Sequence, residues 1–425
     1  MASSINSNAE TRATAFRWFW FANLAIQMGG RSWALALPVL AIQYLSADSR
    51  QVGYLTAAET VGPMLLLLPA GVWIDRMSKR YAMIFSAVSR ALLIGTVPIV
   101  WLSGRLGMPY LYIIALFVGV ASHFYSIAYQ AYVPLLVGSN GSYRANSLLT
   151  TSSRAADAGT PIVIGFVMKL ISAPLVVLLD AIGYLACAAI LTRVPHKEEA
   201  HASTSKRGLR QEMIDGFRFV WSEPALRVIA LAMVFSNFFA TALTTLTPIL
   251  VLQTLRLGPA GLGSVYSSVA AGGLVGALLL GRARRRFGIS TLLTGGLVVA
   301  AAFSILTPLA ASLPINETRL AQAVLIASIF GTAFGGVFFA VSQISLRQMV
   351  CPKDLMSRVN ATMRFVLWGT MPLASMMAGL SAHKLGLVPT MWIAALGALA
   401  TVWPIVGIAR HIPPQVADSA KAHSR

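Results

Sequence analysis

Three carboxylates and a handful of bases stand inside stretches that are otherwise apolar. The carboxylates are Glu59, Asp157 and Asp180; the bases are Arg31, Arg90, Arg154 and Arg364, with His123 at the edge of another such stretch. An ionisable group in an apolar span is costly, so each is a functional candidate by default. A carboxylate there can carry a proton if burial and a nearby charge move it between its ionised and neutral forms. Glu59 and Asp157 fit that chemistry best. Asp180, in "LLDAIGY", is weighed between helix capping or packing and the same proton-coupling role. Arg154 stands three residues before Asp157, a spacing that lets them pair along one helical face. The pair is either a permanent seal between helices or one for which a proton or bound molecule competes. Arg31 follows Gly29 and Gly30 and needs a partner, for which Glu59 or an anionic group of a bound molecule are candidates. An acidic cargo would suit Arg31 and a cationic one would not.

Other chemistries lack their residues. No Gly-rich loop ending in Lys-Ser/Thr is present to cradle a nucleotide. No His/Cys/carboxylate cluster has metal-ligand spacing, and no nucleophile stands with its base. Neither an enzyme nor a cofactor nor a metal site is expected. Cys187 and Cys351 have no evident disulfide partner and read as structural.

The elements that must hold these groups are long and apolar. The chain is 56% hydrophobic and 11% charged over 425 residues, which excludes a water-soluble globule built on one core. A helix crossing about 30 Å of hydrocarbon needs about 20 mostly apolar residues. Such stretches lie near 17–45, 52–73, 82–103, 109–136, 146–171 and 174–194, then near 226–253, 260–281, 290–312, 320–347, 358–382 and 387–409. The N-terminal tail leads into a stretch too long for the apolar core of a cleavable leader, so the first span is expected to stay.

The net charge of +19 could suggest nucleic acid, but its distribution points to topology. Of the connections on one side, only Arg50, Arg105, Lys169, Arg256, Arg319 and Lys384 are basic, and the remaining basic residues outside the spans fall on the other side, tails included. The positive-inside rule then places both termini in the cytoplasm. No nucleic-acid partner is expected.

The second half repeats the first. Gly53 and Gly71 stand 18 residues apart, as do Gly263 and Gly281, and each segment ends in a basic turn. Arg144-Ala145-Asn146 opens the fifth span as Arg358-Val359-Asn360 opens the eleventh. Two six-span halves joined by a linker are the plan of transporters with internal repeats, whose site lies near the bilayer midplane. The divisions expected are 1–194, a cytoplasmic linker at 195–225, 226–409 and a tail at 410–425. Within the linker, Leu209, Met213, Phe217 and Val220 share one helical face, as in a helix lying on the membrane surface.

The turn "GVWIDRMSKR" resembles the signature of the major facilitator superfamily between spans 2 and 3. "YQAYVPLLV", "RANSLL", "LLDAIGYLACA" and "MIDGFRFVWSEPALR" resemble the branch that contains the enterobactin exporter and the macrolide efflux proteins. The resemblance implies an all-α integral membrane protein with twelve transmembrane helices in two pseudo-symmetric halves. It implies a conformational latch at Gly71, Asp75, Arg76 and Arg80, in which Asp75 meets the cytoplasmic ends of spans 4 and 11. Arg285 stands where the repeat would place Asp75, so the second turn cannot make that contact. "DAGTPIVIG" loosely resembles the span-5 motif of antiporters, without its Gly-Pro adjacency. Spans 1, 4, 7 and 10 line the cavity in this superfamily, which makes Gln27, Trp33, His123, Tyr125, Tyr129, Asn237, Phe238, Phe334, Phe338 and Gln343 cavity candidates.

The expected activity is secondary export of a small amphipathic organic molecule, a siderophore-like metabolite or an antibiotic. It would proceed by alternating access coupled to proton antiport, in a bacterial-type inner membrane, with lipid around a monomer. Import or lipid translocation on the same fold, or a receptor that transports nothing, are the alternatives.

Overall fold

The computed structural model describes residues 2–194, 209–352 and 355–408. The chain is helical throughout these stretches. Its first half comprises α1 (Ala2–Val39), α2 (Ser49–Arg76), α3 (Lys79–Leu102), α4 (Met108–Val167) and α5 (Ala173–Thr192). The second comprises α6 (Leu209–Ser222), α7 (Pro224–Ile249), α8 (Gly258–Arg286), α9 (Ile289–Ser304), α10 (Leu306–Ser312), α11 (Thr318–Val350), α12 (Met356–Leu385), α13 (Leu387–Ala400) and α14 (Trp403–Val406). Among the described residues, ten segments are long and apolar enough to cross a membrane. The protein is therefore a multi-pass membrane protein.

Two of the expected spans, found at Met108–Val137 and Ile289–Ser312, carry local irregularities. The sequence predicts a connection between residues 136 and 146, yet α4 is helical from Met108 to Val167. No proline stands between Val137 and Arg144 to break the backbone ladder. The arms still run back over each other: Tyr129 stacks on Phe19 at 5.6 Å, while the indole of neighbouring Trp20 donates to Ser152 Oγ at 2.9 Å. The ninth span, expected as one piece over 290–312, is divided into α9 and α10. Pro308 has no N–H for the Ser304 carbonyl, and its ring crowds that carbonyl.

The duplication extends further than the glycine pairs reveal. α1 ends in Pro38 followed by a π-helical turn, Leu40–Tyr44, and α7 ends in Pro248 followed by another, Leu250–Thr254. Just beyond, Ser46 and Arg256 both take positive φ, at 50° and 52°. "LPVLAIQYLS" and "TPILVLQTLR" carry that match in the sequence.

The chain divides into two compact units: one holds Met1–Ser46 and Ala58–Ser205, the other Ala47–Ala57 and Lys206–Arg425. The start of α2 groups with the second unit because small residues let it approach α12. A Cβ on Gly53 would sit 2.6 Å from the Ser375 carbonyl and 2.8 Å from Gly379 Cα. Gln253 Nε2 also donates to the Ala47 carbonyl at 3.1 Å, and His383 Nδ1 lies 3.5 Å from Asp48. Within the first unit, α4 meets α2 where Gly119 lies against the backbone of Glu59. Helices in lipid pack through such small-residue contacts.

The expected surface helix is α6. Gly216 presses on the Arg358 backbone of α12, Val220 is buried, and Asp215 pairs with Arg358 at 3.2 Å. Phe217 departs from the expected face: it is exposed and stacks with Trp221 at 5.7 Å, beside exposed Ile214. The side chains of Leu209 and Met213 lie outside those described. An exposed aromatic stripe beside a buried one suits the membrane–water boundary.

Candidate functional site

The first unit holds a charged cluster in its interior. Asp180 lies two turns inside α5, fully buried, and accepts a hydrogen bond from Arg90 Nη2 of α3 at 3.2 Å. That depth removes helix capping from the roles expected for Asp180. The guanidinium also donates to Ser122 Oγ of α4 and stands over the Tyr184 ring at 4.4 Å. Glu59 of α2 is within electrostatic reach of the same guanidinium, and the buried Trp33 indole faces it. Arg90 is thus paired with Asp180, while Glu59 makes no ion pair with it and feels its charge from further off. Asp180 Oδ1 has no partner among the described residues. A buried charge pair is stable only when its remaining polar atoms are satisfied, and here one carboxylate oxygen is not.

Arg90 is the residue that sequence reasoning left without a role. Its partner is 90 positions away, and only the rotation of α3 and α5 about their axes brings the two together. The partners expected for Arg31 are Glu59 or an anionic group of a bound molecule, but the Arg31 side chain lies outside those described; the cation whose charge reaches Glu59 is Arg90. Arg364 is exposed rather than buried, and another cation, Arg347, lies within electrostatic reach of it.

A polar pocket of about 420 Å³ opens in the same unit, walled by α1 and both arms of α4. Asn23 and Gln27, one turn apart on α1, are 4% and 8% exposed. Asn23 Nδ2 and Gln27 Oε1 have no hydrogen-bond partner among the described residues. Across the pocket, Asp157 pairs with Arg154 at 3.7 Å, with Arg154 largely exposed. Tyr125 and Tyr129 form an aromatic wall, their rings 6.4 Å apart, and Tyr125 is anchored by Cys187 Sγ at 3.5 Å. The pocket thus offers one amide donor, one amide acceptor, an ion pair and two aromatic faces. Gln27, Tyr125, Tyr129, Arg154 and Asp157 were expected near a site; Asn23, Ser126, Thr150 and Ser153 were not. Asn23 was detectable, being one helical turn before Gln27 in an apolar run.

Other expected residues are distributed elsewhere. Trp33 and His123 are buried, the former beside Glu59. In the second unit, Asn237 donates to the Leu367 carbonyl and to Thr370 Oγ1, each at 3.0 Å. It lines an apolar pocket of about 310 Å³ with Gln343, which is 6% exposed and whose Oε1 is unpartnered among the described residues. Phe334 and Phe338 line a different pocket, because they occupy the opposite face of α11. Phe238 stacks edge-on with Phe239 and lines neither.

The expected latch is described only in part. The side chains of Gly71, Asp75 and Arg76 lie outside those described. Arg80 donates through Nε to the Leu191 carbonyl at 2.8 Å and through Nη2 to that of Thr192. It thereby neutralises the carbonyl end of α5, where a cation is favoured.

Comparison with known proteins gives a consistent family. The sequence model of a family described as transmembrane secretion effector matches residues 5–424. The multidrug efflux pump Tap of Mycolicibacterium fortuitum is 24% identical over 382 residues, 87% of this chain and 90% of that protein. YvqJ of Bacillus subtilis (strain 168), an uncharacterised transporter of the major facilitator type, is 22% identical over 339 residues, 78% of each chain. Among solved structures, a bacterial homologue of the iron transporter ferroportin superposes with a TM-score of 0.71 at 16% identity, covering 92% of this chain and 98% of that one. The nucleoside transporter NupG superposes with a TM-score of 0.72 at 12% identity, covering 93% and 99%. These two likenesses establish the fold alone.

Proposed function

Because the chain belongs to the transmembrane secretion effector family of major facilitator transporters, we propose that it exports a small amphipathic organic molecule by proton antiport. The observation that carries this reading is the pair of buried amides on α1. Leaving a polar group buried without a partner costs about 1–3 kcal/mol, and a cargo that offers an acceptor to Asn23 and a donor to Gln27 recovers that cost. The tyrosine wall suits an aromatic or otherwise apolar body. The Arg154–Asp157 pair accepts a cargo carrying either charge in exchange for one of its own contacts. Export is favoured by the likeness to Tap, a multidrug efflux pump.

The proton enters through charge arithmetic. Glu59 and Asp180 both feel the charge of Arg90, so the cluster carries one net negative charge in a medium that penalises it. Binding one proton neutralises the cluster, and losing it when the unit changes conformation couples proton movement to cargo movement. Asp157, partly exposed and already paired, serves the cargo pocket in this scheme rather than the proton.

The test uses inverted membrane vesicles and a panel of antibiotics and siderophores, with binding followed by tryptophan fluorescence of the purified protein. A cargo should accumulate inside inverted vesicles, and Asn23→Ala and Gln27→Ala should each weaken its binding about 5- to 150-fold. Accumulation in right-side-out vesicles would reverse the direction. Binding unchanged in both variants would remove the α1 amides from the site.

A further inference from the structure

We propose that the groove between α8 and α9 binds one acyl chain of an anionic phospholipid, whose phosphate is held by Arg282 and Arg286.

The groove exists because of how three helices pack. α8 and α9 each lie closely against α11 but scarcely touch each other. A cleft of about 490 Å³ remains between them, and apart from the arginines at its mouth its walls are almost entirely carbon. Two adjacent glycines on α9 have opposite surroundings. A Cβ on Gly296 would lie 2.6 Å from the Phe339 nitrogen, so that glycine is needed for the approach of α9 to α11. A Cβ on Gly295 would meet nothing within 4 Å, because that position faces the open cleft. Packing does not require the second glycine, whose lack of a side chain leaves the cleft open at that point.

The dimensions and polarity fit a lipid. The α9 wall runs from Thr291 to Val299, roughly 12 Å at 1.5 Å per residue. At the lower end stand the arginines that terminate α8, and further along lie Phe334 and Phe338 in the middle of α11. Charge is thus confined to one end and hydrocarbon to the rest, as in a phospholipid with its headgroup at the interface. Arg282, Arg284, Arg285 and Arg286 are all exposed, and none makes an ion pair among the described residues. Arg282 and Arg286 are one helical turn apart, so both reach the same mouth. A basic cluster at the end of a span reads as a site for anionic headgroups on the cytoplasmic leaflet. The cleft offers no buried amide or hydroxyl array of the kind found in the α1–α4 pocket, which separates it from the cargo site.

The test is native mass spectrometry of the full-length protein in detergent, titrated with phosphatidylglycerol and with phosphatidylcholine of identical chains. Phosphatidylglycerol should bind at least about tenfold more tightly, and each of Arg282→Gln and Arg286→Gln should weaken it about fivefold while leaving phosphatidylcholine unchanged. Both residues are exposed, so these variants retain the fold. Gly295→Leu adds a side chain whose Cβ meets nothing within 4 Å and which projects into the cleft, and should weaken both lipids. Equal binding of the two lipids, or a preference that survives loss of both arginines, overturns the proposal. So does arginine-dependent binding that Gly295→Leu leaves intact, since that would be attraction to the surface without occupation of the groove.

Discussion

Neutralising Glu59 and Asp180 separately and together gives the sharpest consequence of a single guanidinium acting on two carboxylates. Arg90 and Asp180 are 3.2 Å apart, and at an effective dielectric of about 20 unit charges at that distance attract by about 5 kcal/mol. Desolvation of both groups offsets much of that attraction. In this arrangement, Asp180→Asn leaves Arg90 with the charge of Glu59, and Glu59→Gln leaves it paired with Asp180. Each single variant keeps one cation with one anion and should cost only about 1 kcal/mol, the value of an ordinary hydrogen bond. The double variant strands Arg90 in the span and should cost about 3–5 kcal/mol. The excess over the summed single effects is therefore about 1–3 kcal/mol, above the few tenths expected of independent sites. Reversible unfolding in mixed micelles measures all four proteins. A double variant within about 0.5 kcal/mol of the sum would refute the shared-cation reasoning, and so would a single variant that already costs 3–5 kcal/mol.

Other consequences follow from packing and helix ends. Gly53→Val places side-chain carbon against the Ser375 carbonyl and Gly379, and should lower stability by about 1–3 kcal/mol through overpacking, read as a fall in the thermal midpoint in detergent. Arg80→Ala removes two donors from the end of α5 and should cost about 1–2 kcal/mol in the same assay. His383→Ala should change stability by less than about 1 kcal/mol, since the Asp48 contact at 3.5 Å is well exposed to solvent; a larger loss would show that the contact does more than its exposure allows.

How much the sequence discloses depends on how local each feature is. The spans and the duplication are local, since they follow from runs of apolar residues and from glycines at fixed spacing. The Arg154–Asp157 pair was legible for the same reason, because a helix brings residues three apart together. Arg90 and Asp180 share no local pattern, and their pairing depends on how α3 and α5 are rotated. The same limit explains α11. Gly336, Phe339, Ala340 and Gln343 follow the helical repeat on one face and line the pocket of Asn237, whereas Phe334, Gly335 and Phe338 line the α8–α9 groove. Assigning a whole span to a cavity cannot separate such faces. The end of the fourth span illustrates a different limit: it lies at Val137, as composition predicts, but glycine, serine and asparagine weaken a helix without forbidding it, so the backbone stays helical through the connection.

Proton movement provoked by cargo tests the central claim most directly. The protein is reconstituted into liposomes with an entrapped pH dye and an imposed proton gradient, then challenged with the cargo identified in inverted vesicles. The wild type should dissipate the gradient when cargo is added, while Glu59→Gln and Asp180→Asn should bind and exchange the cargo yet leave the gradient intact. Cargo transport by the wild type without proton movement, or coupling that survives in both variants, would contradict the assignment of the proton to the Glu59–Arg90–Asp180 cluster.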